Sequence, residues 1–394
     1  MSYDVVVVGA GVVGLAAAWA LARRGRSVVV IDKEAHLGAH ASGRNSGVLH
    51  AGFYYSASSL KARFSVEGNR RWKELCARLE VPVARVGKLV VAQGAHDVPT
   101  LQALLARGRA NGVELELISA ADARRREPRV RTHEAALWSP TTATLDPRRA
   151  LRALARQAVA DGVELHLGRR ATGVGRGFVK IGHDRLRGSV MLNAAGLFAD
   201  RVAAWCGVGE GLRIAPFRGL YLHASRRAPP LQTCVYPVPE PEMPFLGVHF
   251  TPTASGGHHI GPTAMPAWWR EQYGGVAGLS EGEALGVSAR HVRLVLGEPR
   301  FRALAKRELG KLSRRWLVRR AVPLLDDVDW RHYRRWGRPG IRAQLLDVDR
   351  GELVSDFVVQ HTERSVHVLN AVSPAFTCAL PFGEHLADDV EERL

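Results

Sequence analysis

The chain has 394 residues, of which 46% are hydrophobic, and it carries a formal net charge of +17. This length exceeds what one compact core needs and suits two intergrown domains. No apolar stretch reaches the roughly 18 to 20 residues that cross a bilayer, and the N-terminus has no basic leader or cleavage site. The 4 cysteines are scattered, without metal-ligand spacing, so we expect reduced thiols and no metal site. Together these features predict a cytoplasmic protein.

The positive charge is densest between Arg300 and Arg338. Arginine heavily outnumbers lysine, and alanine and glycine are abundant, as in proteins from high-GC genomes. A basic surface can also bind nucleic acid, rest on anionic lipid or attract an acidic substrate. Because this segment has Trp316 and few other aromatic residues, nucleic acid is disfavoured as a partner. We interpret the segment as a solvated helix face, with peripheral attachment to the inner face of the cytoplasmic membrane as the alternative.

The first predicted element is a strand over Val5–Val8, because a run of four valines suits a strand that is buried on both faces. Gly9, Gly11 and Gly14 follow with the spacing G-x-G-x-x-G. The first glycine allows a tight turn, the second lets a pyrophosphate approach the backbone, and the third lets the next helix pack against the strand.

A helix over Leu15–Arg24 and a strand over Val28–Ile31 complete a βαβ unit. Asp32 ends the second strand, where a carboxylate can accept hydrogen bonds from both ribose hydroxyls of an adenosine. A 2′-phosphate would meet like charge there, so NADP is disfavoured. The unit predicts dinucleotide binding, to which neighbouring residues also contribute: Val12, Val13 and Lys33.

The spacing of apolar residues predicts the elements that follow. These are helices over 60–79, 101–111, 120–127 and 148–161, and strands over 88–93 and 163–167. A second strand that stops at small residues, Val190–Gly196, precedes a helix with Asp200. Because such a turn lets a cofactor lie close to the backbone, Ala195, Gly196 and Asp200 are candidate cofactor residues.

Short alternating strands with prolines between Pro216 and Pro262 predict an antiparallel sheet in a separate substrate domain. The chain then returns to the first domain with a strand over His367–Asn370 and a helix toward Val390. The free N–H groups at the start of that helix would stabilise a ring that becomes negative on reduction.

Several strings resemble one family. Ser42–Tyr55 (SGRNSGVLHAGFYY) and Pro244–Pro252 (PFLGVHFTP) are similar to the most specific segments of the L-2-hydroxyglutarate dehydrogenases and oxidases. Weaker matches follow in the family's order at 87–92, 216–219, 236–239, 340–344 and 370–375. The resemblance spans nearly the whole chain, with departures at Arg44, at Thr263 and in 376–381. It implies an FAD enzyme of the D-amino-acid-oxidase-like superfamily.

The resemblance implies an α/β fold with a Rossmann-like FAD-binding domain and an intergrown substrate domain built on an antiparallel sheet. We assign residues 1–85, 146–215 and 336–394 to the FAD-binding domain, and residues 86–145 and 216–335 to the substrate domain. The implied reaction oxidises L-2-hydroxyglutarate, or a close 2-hydroxy acid, to 2-oxoglutarate by hydride transfer to flavin, with a quinone or oxygen as electron acceptor. The alternative is an amino-acid or secondary-amine oxidase of the glycine or sarcosine oxidase type.

This reaction needs an anchor for the substrate carboxylate. Arg342 is the first candidate, because a guanidinium binds a carboxylate through two parallel hydrogen bonds and the resemblance places this residue beside the flavin. Arg218, Tyr236 and Tyr221 are weaker candidates for the distal carboxylate of the substrate.

The reaction also needs a base for the hydroxyl proton, and histidine titrates near neutral pH. We expect His249 to contact the substrate and His50 to contact the flavin or transfer the proton. Alternation along the predicted strand should point His249 away from Val248 and Phe250. The resemblance adds further cofactor-binding residues: Ser42, Arg44, Asn45, Ser46, Gly47, Ala375, Phe376 and Thr377.

Overall fold

The computed structural model describes residues 2–240, 246–276, 278–279, 281–297, 302 and 313–394. Part of the predicted basic segment, at 300–301 and 303–312, lies outside these described residues. So do Pro244 and Phe245 of the PFLGVHFTP string.

The strands are numbered in chain order. They are β1 (Ser2–Val8), β2 (Val28–Ile31), β3 (Val48–Leu49), β4 (Val83–Ala84), β5 (Lys88–Val91), β6 (Glu116–Ser119), β7 (Ala135–Ser139), β8 (Ala143–Leu145), β9 (Glu164–His166), β10 (Gly173–Gly175), β11 (Phe178–Ile181), β12 (Asp184–Asn193), β13 (Leu212–Gly219), β14 (Leu222–Ala224), β15 (Cys234–Pro237), β16 (His249–Pro252), β17 (His258–Gly261), β18 (Met265–Pro266), β19 (Tyr333–Trp336), β20 (Gly340–Asp347), β21 (Glu352–Leu353), β22 (Val358–Thr362) and β23 (Ser365–Asn370).

The α-helices of the described residues are numbered in the same way. They are α1 (Val12–Arg23), α2 (Leu60–Arg78), α3 (Val98–Ala110), α4 (Ala120–Arg126), α5 (Pro147–Ala160), α6 (Ala199–Ala204), α7 (Glu281–Gly297), α8 (Arg314–Ala321) and α9 (Ala375–Glu391). The helices predicted near residues 60, 101, 120 and 148 are all present, with ends shifted by up to three residues.

The first sheet has the order β10-β11-β12-β1-β2-β9, with β23 beside β12 and β22 beside β23. Strand β1 pairs in parallel with β2 and β12, so it is central. Val5 and Val7 pack in one apolar cluster, and Val6 and Val8 pack in another. The valine run is therefore buried on both faces, as its sequence predicts.

The glycines after β1 have the predicted packing roles. Gly9 has a φ of +113°, which favours glycine. A Cβ on Gly14 would lie 2.1 Å from the carbonyl oxygen of Gly9, so only a glycine lets α1 pack so closely on β1. Helix α1 starts at Val12, three residues before the predicted start, because Gly11 is its N-cap.

A second eight-stranded sheet has the order β19-β14-β17-β16-β15-β5-β7-β6. The prediction of an antiparallel sheet holds for its other pairings but is wrong between β5 and β15, which pair in parallel with Lys88 opposite Cys234. A smaller sheet, β18-β13-β20-β21, lies at the expected boundary between residues 215 and 216. Strand β13 crosses that boundary and pairs along its length with β20.

Helices α1, α2 and α9 form a layer over the first sheet. Within this layer, α9 packs against both α1 and α2. Small residues permit these crossings: a Cβ on Gly383 would lie 2.6 Å from the backbone carbon of Ala16, and one on Gly68 would lie 2.0 Å from the carbonyl oxygen of Thr377. The backbones therefore approach too closely for any side chain at these two positions. The contact brings the start of α9 next to the glycine turn after β1.

We expect Gly383→Ala to destabilise the protein by about 1–3 kcal/mol, because the added methyl group forces two backbones apart. Gly286→Ala is the matched control, since Gly286 lies within α7 and an added Cβ would meet only Arg290 Nη1, at 3.6 Å. That control should raise stability by about 0.5–1 kcal/mol. Thermal unfolding of both variants measures the difference, and equal melting temperatures would contradict a tight helix crossing.

Candidate functional site

A cavity of about 600 Å³ lies where β1, β2 and β12 end and where α1 and α9 begin. Most of the predicted cofactor residues line it. These are Gly9, Gly11, Val12, Val13, Asp32, Lys33, Ser42, Arg44, Asn45, Ser46, His50, Ala195, Gly196, Arg342, Ala375, Phe376 and Thr377. Segments that are far apart in the sequence therefore line one cavity.

The end of the cavity beside the glycine turn fits the dinucleotide part of FAD. A Cβ on Gly11 would have only Ser42 Oγ within 4 Å, at 3.2 Å, so the missing side chain leaves open space. The first turn of α1 holds no acidic residue, which keeps its N–H groups and dipole available to a pyrophosphate. Asp32 accepts hydrogen bonds from the backbone N–H groups of Ala10, at 2.8 Å, and Glu34, at 2.9 Å.

Charged groups beside this end form a closed network. Lys33 Nζ lies between the carboxylates of Glu34 and Glu271, and His40 Nε2 lies 3.0 Å from Glu34 Oε1. Glu34, His40 and Glu271 have spacing that would suit a metal ion. The lysine ammonium already contacts both carboxylates, so we interpret the cluster as an ion-pair network.

The loop after His40 is held in place by backbone contacts. Ser42 Oγ accepts a hydrogen bond from the N–H of Val12, at 2.9 Å, and Asn45 Nδ2 donates to the carbonyl oxygen of Ser42, at 3.1 Å. Arg44 donates to the carbonyl oxygen of Pro339, at 3.1 Å, which ties the loop to the start of β20. This contact brings the loop next to Arg342.

Three predicted cofactor residues, Gly14, Gly47 and Asp200, do not line the cavity, and their contact with the cofactor stays a prediction. A Cβ on Gly47 would lie 2.2 Å from the carbonyl oxygen of Leu145, so this glycine serves packing. Asp200 is buried and paired with Arg270, with Arg270 Nη1 2.7 Å from Asp200 Oδ1. It also accepts a hydrogen bond from the N–H of Ile214, at 3.0 Å, so its carboxylate fixes α6 to β13.

The start of α9 forms the opposite wall. Ala375, Phe376 and Thr377 line the cavity in the first turn of this helix. Thr377 Oγ1 accepts a hydrogen bond from the backbone N–H of His50, at 3.1 Å, and Trp72 Nε1 donates to the carbonyl oxygen of Phe376, at 2.7 Å. These contacts fix the helix start relative to both His50 and α2.

His50 and Arg342 both line the cavity. Burial lowers the pKa of His50 well below its usual value, and the nearby charges of Lys88, His249 and Arg342 lower it further. Burial also lowers the pKa of Arg342, although Tyr221 and Tyr55 oppose this effect, and a guanidinium remains charged. The wall therefore offers a neutral imidazole beside a fixed cation.

Three predicted catalytic residues are not on the cavity wall: His249, Tyr236 and Arg218. His249 is buried, donates from Nδ1 to the carbonyl oxygen of Gly247 at 2.7 Å, and stacks on Tyr236 with ring centroids 3.7 Å apart. Phe217, next to Arg218, lines the cavity, so alternation turns Arg218 to the other face of β13. His249 therefore reaches the cavity only through its neighbours, and its contact with the substrate stays a prediction.

Tyr221 and Lys88 have positions in the structure that little in the sequence indicates. Tyr221 lines the cavity, although it follows a strand whose end is difficult to predict. Lys88 is completely buried in β5. Its position in an otherwise apolar strand is the sequence feature that could have predicted this burial.

Comparisons with known proteins agree with this geometry. A family model described as FAD dependent oxidoreductase matches residues 4–389. The L-alpha-glycerophosphate oxidase of Mycoplasma pneumoniae has a similar fold, with a TM-score of 0.78, 21% identity, and coverage of 100% of this chain and 95% of that chain. The glycine oxidase of Geobacillus kaustophilus is similar in fold, with a TM-score of 0.74, 20% identity, and coverage of 100% and 95%. The predicted FAD cofactor is confirmed.

More similar relatives identify the family. The chain is 33% identical to the L-2-hydroxyglutarate dehydrogenase of Escherichia coli strain K12, with 100% of this chain and 94% of that protein covered. It is 32% identical to the mitochondrial L-2-hydroxyglutarate dehydrogenase of Homo sapiens, with 100% and 89% covered. The chain therefore belongs to the L-2-hydroxyglutarate dehydrogenase family of FAD-dependent oxidoreductases.

We expect Gly11→Ala to weaken FAD binding at least about tenfold, or by about 1.4 kcal/mol, because the methyl group would occupy space at the glycine turn. The apoprotein should keep its melting temperature, since the new Cβ has one protein neighbour within 4 Å. Titration of apoprotein with FAD measures the affinity. Gly173→Ala, on β10 and outside the cavity wall, is the control and should bind FAD as the unaltered protein does.

Proposed function

We propose that this protein oxidises L-2-hydroxyglutarate to 2-oxoglutarate and passes the electrons to a quinone or to oxygen. The observation that carries the proposal is the pair of Arg342 and His50 on one wall of the FAD cavity. The names of the relatives support the same substrate. An arginine beside a neutral histidine meets the two needs of this reaction, a carboxylate anchor and a proton acceptor.

In this proposal, Arg342 binds the carboxylate next to the hydroxyl-bearing carbon and orients that carbon. His50 accepts the hydroxyl proton, because its imidazole is neutral and the negative charge of the bound substrate raises its proton affinity. Thr377 and Asn69 hold the backbone of His50 on either side, the latter by donating to its carbonyl oxygen at 3.2 Å. When bound, FAD supplies the hydride acceptor.

We further propose that the cofactor contacts follow the cavity wall. The glycine turn, Asp32 and the loop of Ser42–Ser46 hold the dinucleotide, while the start of α9 supports the flavin. The domain assignment from the sequence is proposed on the same basis, since every strand of the first sheet falls within residues 1–85, 146–215 or 336–394.

The proposed substrate is tested by anaerobic mixing of the FAD-loaded protein with L-2-hydroxyglutarate. We expect the flavin absorbance to bleach, because hydride transfer reduces the cofactor. D-2-hydroxyglutarate is the control, and glycine, sarcosine and proline test the amine-oxidase alternative. Reduction by amines alone would overturn the proposal.

Arg342→Lys tests the anchor within the same assay. We expect kcat/KM for L-2-hydroxyglutarate to fall more than about tenfold, or by about 1.4 kcal/mol, because an ammonium lacks the planar fork. Arg218→Lys is the matched control, since Arg218 does not line the cavity, and it should leave kcat/KM unchanged. An unchanged value in Arg342→Lys would remove Arg342 from the site.

We also propose that the protein attaches peripherally to the inner face of the cytoplasmic membrane. Among the described residues, none of the helices combines the length and low polarity that bilayer crossing requires. The support comes from α7, where Leu285 and Leu296 are 73% and 71% exposed on one face and Arg293 is exposed beside them. An apolar stripe flanked by positive charge suits an anionic lipid surface.

Vesicle sedimentation tests this attachment. We expect binding to phosphatidylglycerol-containing vesicles that weakens at high salt, because part of the attraction is electrostatic. The double variant Leu285→Glu and Leu296→Glu should lose this binding, whereas Val159→Glu, at an exposed position on α5, should retain it. Equal binding to pure phosphatidylcholine, or none to either vesicle, would contradict the proposal.

A further inference from the structure

The second sheet has two faces of very different chemistry. On one face, Leu89, Val235, Phe250 and Ile260 pack in an apolar cluster. The register places a polar set on the other face, because Lys88 is opposite Cys234, Val235 is opposite Phe250, and Thr251 is opposite His259. That set is Lys88, Cys234, Tyr236, His249, Thr251 and His259. This polar face lies toward the FAD cavity.

Lys88 is the cation of the polar face. Its side chain is 0% exposed, and Nζ has no hydrogen-bond partner among the described residues. Aromatic rings surround it: Nζ lies 4.2 Å from the ring centroid of Tyr236, 5.2 Å from that of Tyr54 and 5.6 Å from that of Phe53. Ring faces attract a cation but do not replace its lost hydrogen bonds.

Burial lowers the pKa of Lys88 to about 8. The ammonium is therefore still mostly protonated at neutral pH, inside a region with few compensating groups. Cys234, the neighbour that would offset the charge, has its own pKa raised to about 12 by burial and is a neutral thiol. A buried cation in this state binds an incoming carboxylate strongly.

Other buried polar atoms on this side of the sheet also lack partners within the described residues. These are Tyr54 Oη, both ring nitrogens of His259, and Nδ1 of His50. An unsatisfied buried polar atom costs about 1–3 kcal/mol, so native structures seldom leave several together without a ligand or water. The concentration of such atoms on one side of the sheet indicates a region built to receive a polar group.

This region continues directly from the FAD cavity. His50 and Tyr221 line the cavity, and the ring of Tyr221 lies 4.8 Å from that of His259 on the polar face. His50 is close enough to Lys88 and Arg342 for both charges to lower its pKa. Both cations are thus within electrostatic reach of the proposed base.

We propose that Lys88 is a specificity-determining residue that binds the second carboxylate of the substrate. The inference rests on the proposed function, since a 2-hydroxy dicarboxylate carries two anionic groups and Arg342 accounts for one of them. Lys88 supplies the second positive charge, and Tyr54, whose ring centroid lies 5.2 Å from Lys88 Nζ, offers a hydrogen bond to the same carboxylate. A 2-hydroxy acid with one carboxylate leaves this region unpaired and is therefore a poor substrate.

Lys61 is the nearest competitor for this role. It is also buried, and burial lowers its pKa to about 8. Asp356 lies close enough to raise the pKa of Lys61 in return, so this ammonium already has a carboxylate nearby. Lys88 has no carboxylate among the groups that shift its pKa.

The test compares two substrates in Lys88→Met, which keeps an unbranched side chain that is one atom shorter and removes its charge. L-2-hydroxyglutarate carries two carboxylates, and L-2-hydroxybutyrate carries one. We expect kcat/KM for the dicarboxylate to fall at least about 100-fold, as for loss of a charged hydrogen-bonded partner, while the value for the monocarboxylate changes less than about threefold. The preference of the enzyme for the dicarboxylate then disappears.

Lys73→Met is the matched control. Lys73 also has its pKa lowered to about 8 by burial, but its Nζ donates a hydrogen bond to the carbonyl oxygen of Thr141, at 2.6 Å, whereas Lys88 Nζ has no such partner among the described residues. This variant should keep the preference of the unaltered enzyme. A fall in kcat/KM that is equal for both substrates in Lys88→Met would overturn the proposal, as would no change.

A binding measurement keeps the test independent of turnover. Glutarate and butyrate, which lack the hydroxyl group, should perturb the flavin spectrum of the FAD-loaded enzyme without reducing it. We expect glutarate to bind more tightly than butyrate in the unaltered enzyme and equally weakly in Lys88→Met and Lys88→Gln, the second variant serving if the first does not fold. Equal binding of both acids by the unaltered enzyme would overturn the role of Lys88.

These outcomes separate the two proposals. If the unaltered enzyme is not reduced by L-2-hydroxyglutarate, the proposed function fails, whatever the variants do. If it is reduced but Lys88→Met keeps the preference for the dicarboxylate, only the role of Lys88 fails.

Discussion

The close crossing of α9 over α1 and α2 is the contact on which the cavity depends. Gly383 and Gly68 allow backbones to touch where any side chain would separate them. The start of α9 then lies opposite the glycine turn after β1, and Thr377 holds the backbone of His50. Without this crossing, the dinucleotide end and the proposed catalytic end of the cavity would not face each other.

The charges of the site follow from where each cation is placed. Lys33 is neutralised by Glu34 and Glu271, and Arg270 is neutralised by Asp200, so these ion pairs stabilise the fold around the cavity. Arg342 and Lys88 lie on the substrate side, on two different sheets. The proposed base, His50, is kept neutral chiefly by burial and further by their charge. A dianion therefore fits this arrangement better than a zwitterion or a neutral amine.

The sequence predicted the local elements well because their signals are local. The valine run, the glycine spacing and the start of α9 each depend on neighbouring residues, and each lies where it was expected. Residues whose roles depend on distant partners were harder to place. His249 faces away from Val248 and Phe250 as alternation predicts, but its distance from the cavity depends on how the two sheets meet. Asp200 is a candidate cofactor residue because it follows the second small-residue turn, but its partner Arg270 is 70 residues away in the sequence, so the pairing has no local signal.

Because both ends of the chain enclose the cavity, the cavity is completed late in protein synthesis. The ribosome releases Gly9 and Gly11 long before Ala375–Thr377, yet these segments enclose the same cavity. During synthesis of the residues between them, the cavity therefore lacks the side that α9 forms. The complete FAD cavity can accordingly form only after α9 has left the ribosome and packed against α1 and α2.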